Sequence, residues 1–216
     1  MDFDPVVRPR DAGISASDRD RVFHVSAETR RAHIADTQPS EIIAEQEKIR
    51  QADALVIQFP LWWYSMPAIL KGWFDRVFVN GFAFGTDPTT GRRLRFERGP
   101  FVGKRALVVT TLGDRPGAIG PRGKSGELTE LLFGLLHGTF AYTGMAVLPP
   151  WALPSADRIT DYTQAFNTLR HRLDGLFTDQ AIDYRPQFTG DYTGTWELVD
   201  HLLPGEHGLR VNVRGG

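Results

Sequence analysis

Asp53-Ala54-Leu55-Val56-Ile57-Gln58-Phe59, closed by Pro60, is the run from which the rest of the chain can be read. It is short, almost continuously apolar and ended by a proline, as a strand buried on both faces would be. Downstream, Pro67 suits a first helical position, where its missing N–H is not needed. Leu70, Trp73, Phe74, Val77 and Phe78 then recur at helical spacing. Upstream, Pro39-Ser40 opens a helix, with Ser40 placed to cap it, Glu41 in the first turn, and Ile42, Ile43, Gln46 and Ile49 along one side. Residues 104–111 (KRALVVTT) repeat the buried-strand pattern. A Gly-rich loop follows, then a helix around Leu128, Leu131, Leu132 and Leu135. Residues 144–148 make a third strand, stopped by Pro149-Pro150. Ser155 is placed to cap a last helix carrying Ile159, Tyr162, Phe166, Leu169, Leu173 and Leu176. Residues 1–38 are polar and poorly periodic and read as a long surface connection.

Strands alternating with helices predict an α/β fold: a parallel sheet with right-handed crossovers between two helical layers. Ligands of such sheets sit beyond the carboxyl ends of the strands. That directs attention to the loops 60–66, 110–126 and 149–154. The chain of 216 residues fits one domain, 1–176, and a tail. The segment 177–216 reads as irregular, packing on the domain or on a dimer partner. A net charge of −1 argues against nucleic acid or an anionic membrane as the main partner. No apolar run approaches the ~20 residues that span a bilayer, and no signal peptide is visible, so a cytoplasmic location is expected. With no cysteine there is no disulfide, thiolate metal site or cysteine nucleophile, and the histidines show no zinc-ligand spacing, so no metal is expected.

The first loop is Pro60-Leu61-Trp62-Trp63-Tyr64-Ser65-Met66-Pro67. Three consecutive aromatics at a strand end cannot all face the core, because successive side chains alternate. Flat faces beside backbone N–H groups suit a planar heteroaromatic ring; packing on neighbouring elements is the competing reading. The longer stretch 58–84, QFPLWWYSMPAILKGWFDRVFVNGFAF, resembles the NAD(P)H:quinone oxidoreductases that include the animal DT-diaphorases. Their pattern is close to QFPL-x-W-[FY]-x-x-PA-x-LKGW-[FI]-[DE]-RV-F followed by FA-[FY]. Asp4-Pro5-Val6-Val7, Ile43-Ala44-Glu45-Gln46, Thr110-Thr111-x-Gly113 and His137-Gly138-Thr139-x-x-Tyr142-x-Gly144-Met145 extend the resemblance over most of residues 1–176.

The resemblance implies a flavodoxin-like fold and the two-electron reduction of quinones by NAD(P)H through a bound flavin, FAD with FMN as the alternative, in ping-pong fashion within a homodimer. It implies that Leu61, Trp62, Trp63 and Tyr64 pack on the flavin, that Thr110, Thr111, Leu112 and Gly113 surround its pyrimidine edge, and that His24 touches it. It also implies that Phe84, with Ala83, covers the substrate, and that Tyr64, Trp63 and Phe84 form a stacking cage. The Tyr and His of the animal enzymes' second loop are absent here. Arg122, or Lys124, can stabilise negative charge on the reduced ring in their place; a solvated basic loop is the alternative. Tyr64 and Arg122 are thus the candidate catalytic residues. The family's opening strand, phosphate-cradling loop, helix and second strand have no counterpart. The 54–59 strand is therefore expected at an open edge, either because the true start lies upstream or because the chain is a divergent form with a crippled flavin site. A non-catalytic ancillary subunit of the potassium-efflux type, or an inactive truncated homologue, is the alternative to the enzyme.

Overall fold

In the computed structural model, which describes residues 3–15 and 22–214, the 104–111 pattern lies at the centre of the sheet. The chain runs through α1 (Val25–Ile34), α2 (Ser40–Gln51), β1 (Ala54–Pro60) and α3 (Ala68–Val77). A two-residue hairpin, β2 (Gly85–Thr86) and β3 (Arg93–Leu94), precedes the central strand β4 (Arg105–Thr111). Short helices α4 (Leu128–Leu131) and α5 (Phe133–Leu135) run into a π-helical turn over Leu136–Ala141. Then come β5 (Ala146–Val147), β6 (Trp151–Leu153) and α6 (Thr163–Asp174).

β1 pairs in parallel with β4 along its whole length, from Ala54 against Arg105 to Pro60 against Thr111. On the other side β5 pairs with the start of β4 and β6 with its end, both parallel. The third predicted strand is therefore one interrupted strand. Pro149 and Pro150, which have no N–H to give a ladder, fall in the gap, and pairing resumes at Trp151 against Val109.

The two faces are covered differently. Leu55, Phe59, Ala106, Val108 and Val147 look into the main core, filled by Trp73, Phe74 and Val77 of α3 and by Leu135, Leu136 and Phe140. Leu107 and Val109 on the opposite face lie under Leu169 and Leu176 of the α6 region. Val56 and Gln58 pair with Leu107 and Val109 and share that second face. They stay exposed, and among the described residues β1 has no second strand partner, so it is an edge strand.

Residues 1–38 are not the surface connection that their composition predicts. Within them 25–34 form a ten-residue helix, and the segment 3–12 is pinned to α3 by a buried ion pair. Arg76 Nε and Nη2 donate to the Asp11 carboxylate at 2.9 and 2.8 Å, and Nη1 donates to the Asp4 carbonyl at 2.8 Å. Nη2 also reaches Glu41 at 3.0 Å. Close approach is possible because residue 72 is glycine: a Cβ there would lie 2.2 Å from the Pro5 carbonyl oxygen. Two capping expectations also change. Pro39 is the N-cap of α2, so Ser40 is already inside it, and the last helix starts at Thr163, well beyond Ser155.

The tail is irregular but tied down. Ile182 N–H donates to the Val147 carbonyl at 2.8 Å, and Arg210 donates to Glu130 and Glu127 at 2.6 and 2.7 Å.

Candidate active site

The carboxyl ends of β1 and β4 lie side by side because the two strands are in register to their last residues, Pro60 against Thr111. Leu61 N–H then donates to the Thr111 carbonyl at 2.8 Å, extending the ladder by one bond. The chain reverses at once. Trp62 and Ser65 exchange backbone hydrogen bonds of 3.0 and 2.9 Å around Trp63 and Tyr64, whose φ angles are 51° and 57°. Two central residues with positive φ define a type I′ turn, a position that usually falls to Asn-Gly. Aromatic side chains there cost roughly 1–2 kcal/mol each in backbone strain. They also remain outside: Trp62 is 61% exposed, Trp63 97% and Tyr64 44%.

Among the described residues, Tyr64 is the one of the three with a side-chain hydrogen bond. Its hydroxyl lies 2.8 Å from Ser125 Oγ, on the loop that follows β4. Ser125 Oγ donates in turn to Asp114 Oδ2 at 3.3 Å. Asp114 titrates below the usual carboxylate range because the Arg115 N–H donates to it, aided by the Lys124 ammonium 3.7 Å away and opposed by partial desolvation. The loops after β1 and β4 are thereby stitched together.

The sequence-predicted residues fall into three sets. Leu61, Trp62, Trp63 and Tyr64 form the bend, and Thr111, Leu112 and Gly113 adjoin it at the end of β4. Two of the named residues have sealed side chains. Thr110 is 0% exposed and donates its hydroxyl to the Phe59 carbonyl at 2.8 Å, a strand-pinning role. Ala83 is 0% exposed within the main core, so no substrate reaches its side chain. Leu112, 7% exposed, can offer a ligand little beyond backbone. The third set lies elsewhere. Arg122 is exposed and makes no ion pair or hydrogen bond with Tyr64; Lys124, not Arg122, is the cation drawn to the loop's carboxylate. His24 is exposed just ahead of α1.

Phe84 does not join Trp63 and Tyr64 in one cage. Its ring partner is Tyr142, centroids 6.0 Å apart, and both line a cavity of about 560 Å³. Val25 and Thr29, close after His24, and Ser65 and Met66, directly after the bend, line the same cavity. The cavity thus begins where the bend ends, with Ser65 common to both. Tyr142 and Ser125 are the site residues that sequence reasoning missed. Tyr142 stands inside the quoted HGT segment, whereas no sequence signal marks Ser125.

The family model described as the flavodoxin-like fold matches residues 1–175. A ribosyldihydronicotinamide dehydrogenase-like protein of Penicillium crustosum is 37% identical over 75% of this chain and 61% of its own length. NAD(P)H dehydrogenase [quinone] 1 of Cavia porcellus is 35% identical over 98% of this chain and 77% of its own length. The chain belongs to the flavodoxin-like NAD(P)H:quinone oxidoreductase family. A solved Klebsiella pneumoniae structure described as a candidate quinone reductase superimposes with a TM-score of 0.90 at 36% identity, covering 98% of this chain and 83% of that one. The chain spans about three fifths of the length of several other curated relatives it matches, among them the human ribosyldihydronicotinamide dehydrogenase [quinone] at 62%. In this family member the helices lie on both faces of a parallel sheet, and no helix among the described residues is long and apolar enough to cross a membrane.

Proposed function

We propose that this protein is a flavin-dependent NAD(P)H:quinone reductase that carries out two-electron reduction in ping-pong fashion. The observation that carries the reading is the strained bend at 62–65, which holds Trp62, Trp63 and Tyr64 out of the core. Free energy is lost twice there: in backbone strain, and in apolar surface left in water at about 25 cal/mol per Å². Both losses are offset when a planar ring covers the aromatic faces. Family membership supports a flavin as that ring, with its isoalloxazine, of FAD or of FMN, lying on the bend under this proposal. When bound, a flavin would supply the two-electron redox chemistry between NAD(P)H and the quinone.

The chain's own residues would do the positioning. Trp63 and Tyr64 supply the stacking surface, and the backbone of Leu112 and Gly113 at the end of β4 borders the ring's polar edge. Arg122, unpaired among the described residues on the adjoining loop, is free to approach negative charge on the reduced ring. Phe84 and Tyr142 wall the apolar cavity next to the bend, where a quinone of one or two fused rings fits the 560 Å³ available. The proposal includes a homodimer.

Titration with FAD and with FMN should quench tryptophan fluorescence, and the loaded protein should oxidise NADPH when menadione is added. A folded protein that neither quenches nor retains either flavin overturns the proposal.

A further inference from the structure

We infer that the Tyr64 hydroxyl is a hydrogen-bond acceptor for an amide-type N–H on a planar ring, held in that role by Ser125 and Asp114. The inference rests on the flavin reading and sharpens it: the bend would choose its ring by a polar edge as well as by a flat face.

Proton accounting leads to this assignment. The Asp114 carboxylate receives the Arg115 N–H at 3.0 Å and faces the Lys124 ammonium, so it is ionised and can only accept. Ser125 has one hydroxyl proton, and it is directed to Asp114 Oδ2. Ser125 Oγ therefore meets the Tyr64 hydroxyl, 2.8 Å away, as an acceptor, and Tyr64 spends its own single proton on that bond. Only lone pairs remain on the Tyr64 oxygen for anything that approaches from solvent.

The loop holds this polarity ready before a ligand arrives. Ser125 N–H donates to the Ala118 carbonyl at 3.0 Å, and the loop closes tightly enough that a Cβ on Gly123 would lie 2.2 Å from that same oxygen. Ser125 is thus a positioning residue, and Asp114 fixes the direction in which its hydroxyl points.

Two rings of the proposed reaction carry an amide-type N–H: the imide of isoalloxazine and the carboxamide of nicotinamide. A quinone carries none. Tyr64 would thus favour the coenzyme rings and leave the quinone to be held by stacking alone.

The test compares wild type, Tyr64→Phe and Ser125→Ala by tryptophan-fluorescence titration. One pair of probes is FMN and its N3-methyl derivative. The other is NADPH and its 3-acetylpyridine analogue, in which an acetyl group replaces the carboxamide. In wild type, loss of the N–H should weaken binding about five- to tenfold in one pair, the worth of one neutral hydrogen bond. The pair affected identifies the ring. In Tyr64→Phe that ratio should fall towards the steric contribution alone, and Ser125→Ala should lie between, because Tyr64 keeps its hydroxyl but loses its direction. Ratios that are the same in wild type and Tyr64→Phe for both pairs overturn the inference while leaving the flavin reading intact. A wild-type protein that binds none of the four probes overturns both.

Discussion

At Arg76 a full positive charge lies inside the protein, 1% exposed, whereas at Trp63 an indole stands outside, 97% exposed. Each is the reverse of what its side chain prefers, but the two are maintained differently. The guanidinium makes four hydrogen bonds, to Asp11, Glu41 and the Asp4 carbonyl, and lies 4.8 Å from the Phe3 ring centroid. Its partners come from two separate stretches of chain, so from α3 it ties the N-terminal segment and α2 together. The indole has no ring partner among the described residues. A buried group that misses its preference is compensated within the fold; the exposed group has no compensation until something binds. One is architecture; the other is the surface that the proposed function assigns to a ligand.

Breaking the compensated region should give the largest effect. Arg76→Met leaves the Asp11 carboxylate, 1% exposed, without its cation, and should lower stability by about 3–5 kcal/mol in urea unfolding. Adding Asp11→Leu should recover part of that loss, since both charges are then gone. A loss under about 1 kcal/mol for the single change would mean that the N-terminal segment is not held by this pair.

The two long strands repeat the contrast at lower cost. Ala106, Leu107 and Val108 of β4 are all 0% exposed, while Val56 of β1, from an equally apolar run, is 42% exposed. Leu107→Ala should cost about 2–4 kcal/mol, because it opens a cavity beneath α6. Val56→Ala should cost less than about 1 kcal/mol. Equal losses would show that β1 is covered in solution.

These cases also mark what the sequence could reveal. A continuous apolar run identifies a strand, so β1 and β4 were readable to within one residue, whereas their register was not. The same run, read alone, is a strand buried on both faces; the open edge was expected only from the resemblance, through the opening strand that has no counterpart, and Val56 lies exposed there. α1 was missed because its sequence, VSAETRRAHI, buries only Glu28, Thr29 and Ala32, too little apolar periodicity to signal a helix. Asp11 and Arg76 are separated by 65 residues, and no local pattern pairs them. At the site, topology alone brings 61–64 beside 110–113. It does not say which strand-end side chains turn inward, and so the buried side chains of Thr110 and Ala83 could not be told from exposed ones. Ser125 was unreadable for the same reason as Asp11: its partner Tyr64 is 61 residues away.

His137 gives a smaller effect, set by pH. Burial lowers its pKa from 6.5 to about 4, in a cluster with Phe133, Phe96 and Tyr184 at ring distances of 4.7, 5.4 and 4.8 Å. The folded protein holds the ring neutral while the unfolded chain protonates it near 6.5. Stability is therefore complete above that pH and is lost as the pH falls from about 6.5 to about 4. With the ring partly open to solvent, about 1–2 kcal/mol should be lost over that window. His137→Leu should flatten the dependence; a mutant as acid-sensitive as the parent would place the titration elsewhere.

The smallest effect on stability tests the exposed half of the contrast most directly. Trp63 sits at φ 51°, where glycine is at ease and a tryptophan is strained. Trp63→Gly removes that strain and surrenders almost no packing, because the side chain is 97% exposed. The larger conformational entropy of glycine in the unfolded chain cancels part of the gain, so stability should rise by only about 0.5–1 kcal/mol. Flavin affinity under the proposed function should fall about tenfold or more, as a stacking surface worth about 1–3 kcal/mol disappears. Opposite signs from one substitution are what a surface kept for a ligand requires. If Trp63→Gly instead destabilises the free protein by more than about 1 kcal/mol, the indole is packed in solution, and the distinction drawn between Arg76 and Trp63 fails at its exposed end.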